Sequence, residues 1–338
     1  MSSYLYGTVL FSHSSEEVSF DRPLYPIAQA REKGFLKVSE IHTLFYALYG
    51  NPNGIPVVVL HGGPGAGCSD TLSQFFDLNE WNVIMFDQRG AMRSLPFCCM
   101  EENSSQHSIN DIEALRDHLG IEKWIIFGGS WGSALALLYG QEHPEHCMGF
   151  ILRGIFLGRE QDWLHVLYGM GKIFPEAYEP FFHYIPEEER NDLLSAYYSR
   201  IFDPNPDVHM PAARTFIRFN MTGSTHLPNS TAVEQIVQND KLILSMTRAF
   251  LYYAKHRFFI EPNQILSRMQ SIAHLPAIII HGRWDAIDLP EMAYSLYKNW
   301  NNSRLWIIPQ GGHSANNPAI AAALATATDT FIRKIKGT

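Results

Sequence analysis

Cysteine is scarce in this chain: Cys68, Cys98, Cys99 and Cys147 are the four in 338 residues. Their spacing fits neither a metal-ligand set nor a disulfide framework, so no metal site is expected and a reduced, cytoplasmic setting fits best. Charge is thin as well. Only 18% of residues are charged, the formal net charge is -8, and no run of Lys and Arg occurs. That argues against a nucleic-acid partner, because phosphate binding needs clustered cations. No apolar run approaches the roughly 20 residues of a bilayer span, so no membrane partner is expected. Residues Met1 to Ser15 lack a basic segment followed by an apolar one, so no secretory leader is expected. Repeats and low-complexity tracts are missing too, which excludes a solenoid.

What is present is core material, with 46% hydrophobic residues. Short, continuous apolar runs occur at Val57–Leu60, Val83–Phe86, Trp124–Phe127, Phe150–Leu152, Ala277–Ile280 and Leu305–Ile308. Continuous rather than alternating runs are the mark of parallel strands covered on both faces. Helical stretches lie between several of them. Ile109–Leu119 carries Ile112, Leu115 and Leu119 on one face and ends at Gly120. The alternation implies an α/β fold with a mainly parallel central sheet flanked by helices. Gly34–Val38 and Thr43–Tyr49 read as a leading antiparallel hairpin, with a turn near Asn51–Gly54. The alternation stops after about Leu157 and resumes near Gln264. The stretch between is helical in pattern and rich in aromatics, including Phe181, Tyr197, Phe216 and Phe219. We expect residues 1–156 and 264–338 to form the sheet domain and residues 157–263 an inserted helical cap. Most of the cap aromatics are expected to do no more than pack it together.

The chemistry-bearing motif is Gly128-Gly129-Ser130-Trp131-Gly132, set between the strand Trp124–Phe127 and the helical run Ala134–Tyr139. A serine there stands on a sharp strand-to-helix turn, exposed at the sheet's carboxyl edge, and the glycines permit the turn. A serine hydroxyl is a poor nucleophile and needs a base, which needs an orienting acid. In folds with this elbow the order is Ser, then Asp or Glu, then His. Asp285 follows the strand Ala277–Ile280, and His313 follows Leu305–Ile308 between glycines and Ser314. Both fall at the edge where open α/β sheets place their sites. Ser130 as nucleophile, His313 as base and Asp285 as acid form the expected triad. Asp87 precedes Ser130 and is expected to serve a turn. His61-Gly62-Gly63-Pro64-Gly65 follows Val57–Leu60, where one oxyanion donor belongs. The Gly63 and Trp131 amides are assigned that role, and His61 is expected to brace the loop. A silent binding scaffold would not need all of these parts. An Asp-nucleophile dehalogenase or epoxide hydrolase is excluded by the serine.

Together these segments resemble the proline iminopeptidase (prolyl aminopeptidase) family of the α/β-hydrolase fold. The resemblance spans nearly the whole chain. It includes Gly50-Asn51-Pro52, His61–Gly65, Asp87–Gly90, Gly128–Ser133, Leu152–Phe156, Asn263-Gln264, Gly282–Asp285 and Gly312–Ser314. It implies release of N-terminal proline from small peptides, without a cofactor, and a pocket aromatic at Phe156. It also implies two cap glutamates that hold the substrate amine. Here the chain departs. The W-x-x-W-E pattern aligns with Phe216–Asn220, placing Asn220 at the first glutamate. The R-I-E pattern aligns with Arg248-Ala249-Phe250, placing Phe250 at the second. A family cysteine three residues after the acid is Asp288, and the end of the Asp-Gln-Arg-Gly-Ser-Gly pattern reads Ala91-Met92. Two readings stay open. Asp288 takes over the amine, or the amine site is lost and the substrate is an uncharged small acyl ester or amide. Asp288 as a solvated loop residue is a third possibility.

Overall fold

In the computed structural model, which describes residues 2–5, 8–11, 20, 22–224 and 229–337, ten strands form one sheet in the order β1-β2-β10-β9-β8-β7-β5-β6-β4-β3. The strands are β1 (Ser2–Leu5), β2 (Thr8–Phe11), β3 (Glu32–Lys37), β4 (Thr43–Gly50), β5 (Ile55–Leu60) and β6 (Trp81–Phe86), then β7 (Trp124–Ser130), β8 (Cys147–Ile155), β9 (Ala277–Gly282) and β10 (Ser303–Ile308). The six central strands, β6, β5, β7, β8, β9 and β10, run parallel. Antiparallel pairs close both edges. All six apolar runs read from the sequence are these parallel strands. The expected hairpin is β3 and β4. The β1–β2 pair was not anticipated; its neighbour is β10, almost the whole chain away.

Alternate residues of each central strand serve opposite faces, as a pleated strand requires. Val58, Leu60, Trp124, Ile126 and Ile279 face one layer, built with α1 (Ser105–His118) and α2 (Trp131–Glu142). Val57, Val59, Ile125, Phe127 and Ile280 face the other, against Phe75, Phe76 and the C-terminal helix Pro318–Lys336. Because both faces are covered, the strands have no polar alternation to show. Helix α1 starts where Ser104 Oγ accepts from the His107 amide, and it ends before Gly120, whose φ is +64°.

Between β8 and β9 the chain leaves the sheet. It forms α3 (Glu160–Leu164), α4 (Pro175–His183), α5 (Leu193–Ile201), α6 (Pro206–Thr222), α7 (Ser230–Val237) and α8 (Asp240–Lys255). Their packing is largely aromatic. Phe181 stacks on Tyr197 and on Phe219, each with ring centroids 4.6 Å apart, and Phe216 meets Phe181 edge-on. Backbone and side-chain bonds tie this insert to the sheet's loops. Ser245 Oγ on α8 donates to Gly65 O (2.6 Å), and the Ser314 amide donates to Ser224 O (2.8 Å).

Candidate active site

Ser130 ends β7 with φ 56° and ψ -128°, a conformation that costs a non-glycine residue on the order of 1–3 kcal/mol. Surrounding contacts hold it there. A Cβ on Gly128 would collide with Gly132 O, and one on Gly132 would collide with Leu60 O. The turn can form only if these positions carry no side chain. Ser133 Oγ donates to Ser130 O (2.7 Å) and accepts from the Phe156 amide (3.0 Å), locking the elbow to the end of β8.

Asp285 lies three residues past β9 and is 2% exposed. Its Oδ1 accepts from the amides of Ile287 (3.1 Å) and Asp288 (2.9 Å). His313 Nδ1 lies 2.9 Å from its Oδ2 and 3.1 Å from Oδ1. Burial favours the neutral acid, but His313 and these hydrogen bonds overcome it and hold the carboxyl below its ordinary value. An ionised Asp285 makes Nδ1 the protonated nitrogen and leaves Nε2 as the basic one. The His313 loop is itself pinned, because Arg153 on β8 donates from Nη1 to His313 O (2.6 Å). Beside the Asp285–His313 pair, His281 is fully buried. Its Nδ1 accepts from the Ile155 amide (3.1 Å) and its Nε2 donates to Asp288 O (2.8 Å). Burial lowers its proton affinity, so it stays neutral and serves as a brace.

Ser130, His313, Gly63, Trp131, Phe156, Asn220, Phe250 and Asp288 all line one cavity of about 280 Å³ at the carboxyl edge of the sheet. Asp285 stands behind His313. Every expected site residue is therefore in the cavity wall or in direct contact with it. The Ser130 hydroxyl and the imidazole share the wall without a hydrogen bond between them among the described residues. Such contacts often tighten only when substrate arrives. Gly63 has φ 112°, a region that glycine tolerates. Trp131 opens α2, so its amide belongs to the first turn, where no intrahelical acceptor exists.

His61 proves to be a brace. Its Nε2 accepts from the Gln88 amide (3.0 Å), while Gln88 Nε2 donates to His61 O (2.9 Å) and Gln88 Oε1 accepts from Trp131 Nε1 (2.9 Å). This chain of bonds couples the Gly62-Gly63 loop to the elbow. Asp87 is wholly buried and accepts from the Cys68 amide and from the Arg93 amide and guanidinium. It holds a turn, and it does not line the cavity.

The reading of Asp288 as a solvated loop residue is corrected by its burial: it is 2% exposed and faces the cavity. Packing was also too small a role for Phe216, which lines the cavity as well as touching Phe250 (5.6 Å between centroids). Among the wall residues with no assigned role are Arg153 and Phe258. Arg153 stands in the Leu152–Phe156 segment, where a charged residue inside an apolar strand was the available signal. Phe258 lies in a three-residue left-handed turn, Arg257–Phe259, with φ between 51° and 55°. Its ring meets Phe156 at 4.9 Å and Trp131 at 5.6 Å. Nothing in the local sequence marks such a turn.

Residues 55–316 match the α/β hydrolase fold family. A probable proline iminopeptidase of Leptolyngbya boryana is 41% identical over 92% of this chain and 97% of its own length. The proline iminopeptidase of Arabidopsis thaliana is 39% identical over 97% of this chain and 87% of its own. The chain belongs to the proline iminopeptidase family of α/β-hydrolases. It is a serine hydrolase. Among solved structures, this α/β-hydrolase shares its fold with a proline iminopeptidase-related protein of Thermus thermophilus (TM-score 0.59, 19% identity, 90% and 97% coverage). It also shares it with a putative aryl esterase of Burkholderia cenocepacia (TM-score 0.62, 16% identity, 91% and 100% coverage). The cavity wall of this family member is mainly apolar, and the insert adds to it the uncharged polar side chains of Ser224 and of Asn220, whose Nδ2 donates to Phe216 O (3.0 Å).

Proposed function

We propose that this hydrolase releases an N-terminal proline, or a similarly small residue, from short peptides through an acyl-enzyme on Ser130. The observation that carries the reading is the buried Asp285–His313 pair sharing one cavity with a serine on a strained strand-to-helix turn. His313 Nε2 takes the Ser130 proton as Oγ attacks the scissile carbonyl. The Gly63 and Trp131 amides receive the developing oxyanion. His313 then protonates the departing amine, and water repeats the sequence to free the acyl group. Asp285 stays ionised and steadies the imidazolium. The aromatic wall, with Phe156, Phe250 and Phe258, suits a compact apolar ring. We take residues 157–263 as a cap that closes over the site built by residues 1–156 and 264–338. Among the described residues no helix is long and apolar enough to cross a membrane. All four cysteines are unpaired, which supports a reduced, cytoplasmic setting.

A second reading has its own observation. Asn220 and Phe250, the two insert positions where the family resemblance implies glutamates, bring no charge to the cavity. An ester or amide with an uncharged acyl group would suit that wall. The test compares prolyl arylamide, its N-acetylated form and a p-nitrophenyl ester. Preference for the free amine is the expected result, and indifference to acetylation would transfer support to the esterase reading.

A further inference from the structure

Asp288 is the only carboxylate in the cavity wall among the described residues. Its backbone is fully used. The amide donates to Asp285 Oδ1 (2.9 Å), and the carbonyl accepts from His281 Nε2 (2.8 Å). Its side chain is only partly used: the Ser130 hydroxyl donates to the carboxyl, while Oδ2 is buried and accepts no hydrogen bond. An unpartnered buried acceptor is costly, more so when charged, and its persistence calls for a reason. The fold does not supply one, because the loop is already held by its backbone.

The surrounding charges show what is missing. The groups that face this carboxyl are Asp285, Arg153 and Asp162, with the Ser130 hydroxyl beside it and His313 Nδ1 3.7 Å from Oδ2. Asp162 is neutralised by Arg159 at 2.9 Å. His281 is neutral. Two carboxylates, Asp285 and Asp288, then share one guanidinium in a water-poor cluster, which is one positive charge short whenever Asp288 is ionised. Burial, reinforced by Asp285, accordingly pushes the Asp288 carboxyl well up, which favours the neutral acid until a cation pairs with it.

We propose that Asp288 receives the protonated amine of the substrate's N-terminal residue, so that this chain anchors the amine from the loop after β9 and not from the helical insert. The inference rests on the aminopeptidase reading and names the group that enforces it. Reach supports it. In any N-terminal residue the amine nitrogen is two bonds, roughly 2.5 Å, from the carbonyl carbon that serine attacks. An acceptor for that nitrogen must therefore stand beside the nucleophile, as Asp288 does. A proline ammonium offers two N–H donors, and binding it exchanges the proton on Asp288 for a charge-assisted pair. The same placement opposes an acetylated substrate, which would leave the carboxyl unpaired.

The test is Asp288→Asn, which keeps the shape and removes the charge. Wild-type and variant are assayed on prolyl arylamide, N-acetylprolyl arylamide and a p-nitrophenyl ester. The ratio of kcat/KM for the free amine to that for the ester should fall by about 10²-fold, mainly through KM. Asp288→Glu should recover part of that ratio. Equal losses on amine and ester would overturn the proposal, because they would place Asp288 behind His313 instead of against substrate. An unchanged ratio would overturn it too. A wild-type enzyme indifferent to acetylation removes the aminopeptidase reading itself, and that result is read without the variant.

Discussion

At the rim of the sheet, position is enforced by the backbone. Gly128 and Gly132 let the elbow press against Leu60 O, Asp285 is held by two amides, and His313 is held by Arg153 through its carbonyl. In the insert, position is enforced by ring on ring, with Phe181 stacked on Tyr197 and Phe219 and Phe216 set edge-on against Phe181 and Tyr197. The first kind of construction tolerates almost no change, because an added atom meets backbone. The second tolerates exchange of one apolar side chain for another of similar volume. The rim is therefore the more constrained region. Of the positions where the family resemblance implies other residues, Asn220 and Phe250 stand in the insert and Asp288 stands at the rim.

Three changes would break or sharpen the contrast. The largest effect belongs to the rim: Ser130→Ala should lower kcat by on the order of 10⁴–10⁶-fold, as measured on purified protein with its melting temperature unchanged. A variant keeping a tenth of the activity would remove Ser130 from its role. Next comes Gly132→Ala. Its Cβ has nowhere to go, so the elbow must shift, with loss of about 1–3 kcal/mol of stability by denaturant titration and of at least about 10²-fold in kcat/KM. In the insert, Asn220→Glu should be mild. It adds a carboxylate to a site already anchored by Asp288, and the preference for free amine over ester should rise by no more than about tenfold.

The smallest effect is one of stability against pH. The Asp288 carboxyl is raised by burial and by Asp285, so the folded state holds its proton more tightly than the unfolded chain does. That contribution is present below the ordinary Asp range and is lost as pH rises through the folded-state value. Asp288→Asn should therefore melt about a few degrees above wild-type at pH 8, and the gap should close towards pH 4. A gap that widens on acidification would reverse the assignment of the neutral form.

The rim was readable from sequence and the insert much less so, for a physical reason. Gly128–Gly132, Gly63, Asp285 and His313 lie within a few residues of strand ends, so a local pattern already fixes where they stand. Phe216 and Phe250 sit on separate helices, and a spacing that buries them equally serves packing or a cavity wall. Phe258 depends on a left-handed turn that no residue of Arg257–Phe259 advertises. Asp288 could be placed near the acid by position, but two of the charges that act on its carboxyl, Arg153 and Asp162, come from more than a hundred residues earlier in the chain. The β1–β2 pair is legible only through its distant partner β10.

The most direct measurement is covalent labelling. A fluorophosphonate should add one adduct per chain, found by peptide mass on Ser130, and the rate should fall by several orders of magnitude in His313→Ala. Labelling elsewhere, or undiminished labelling of Ser130 in His313→Ala, would contradict a serine activated by the Asp285–His313 pair.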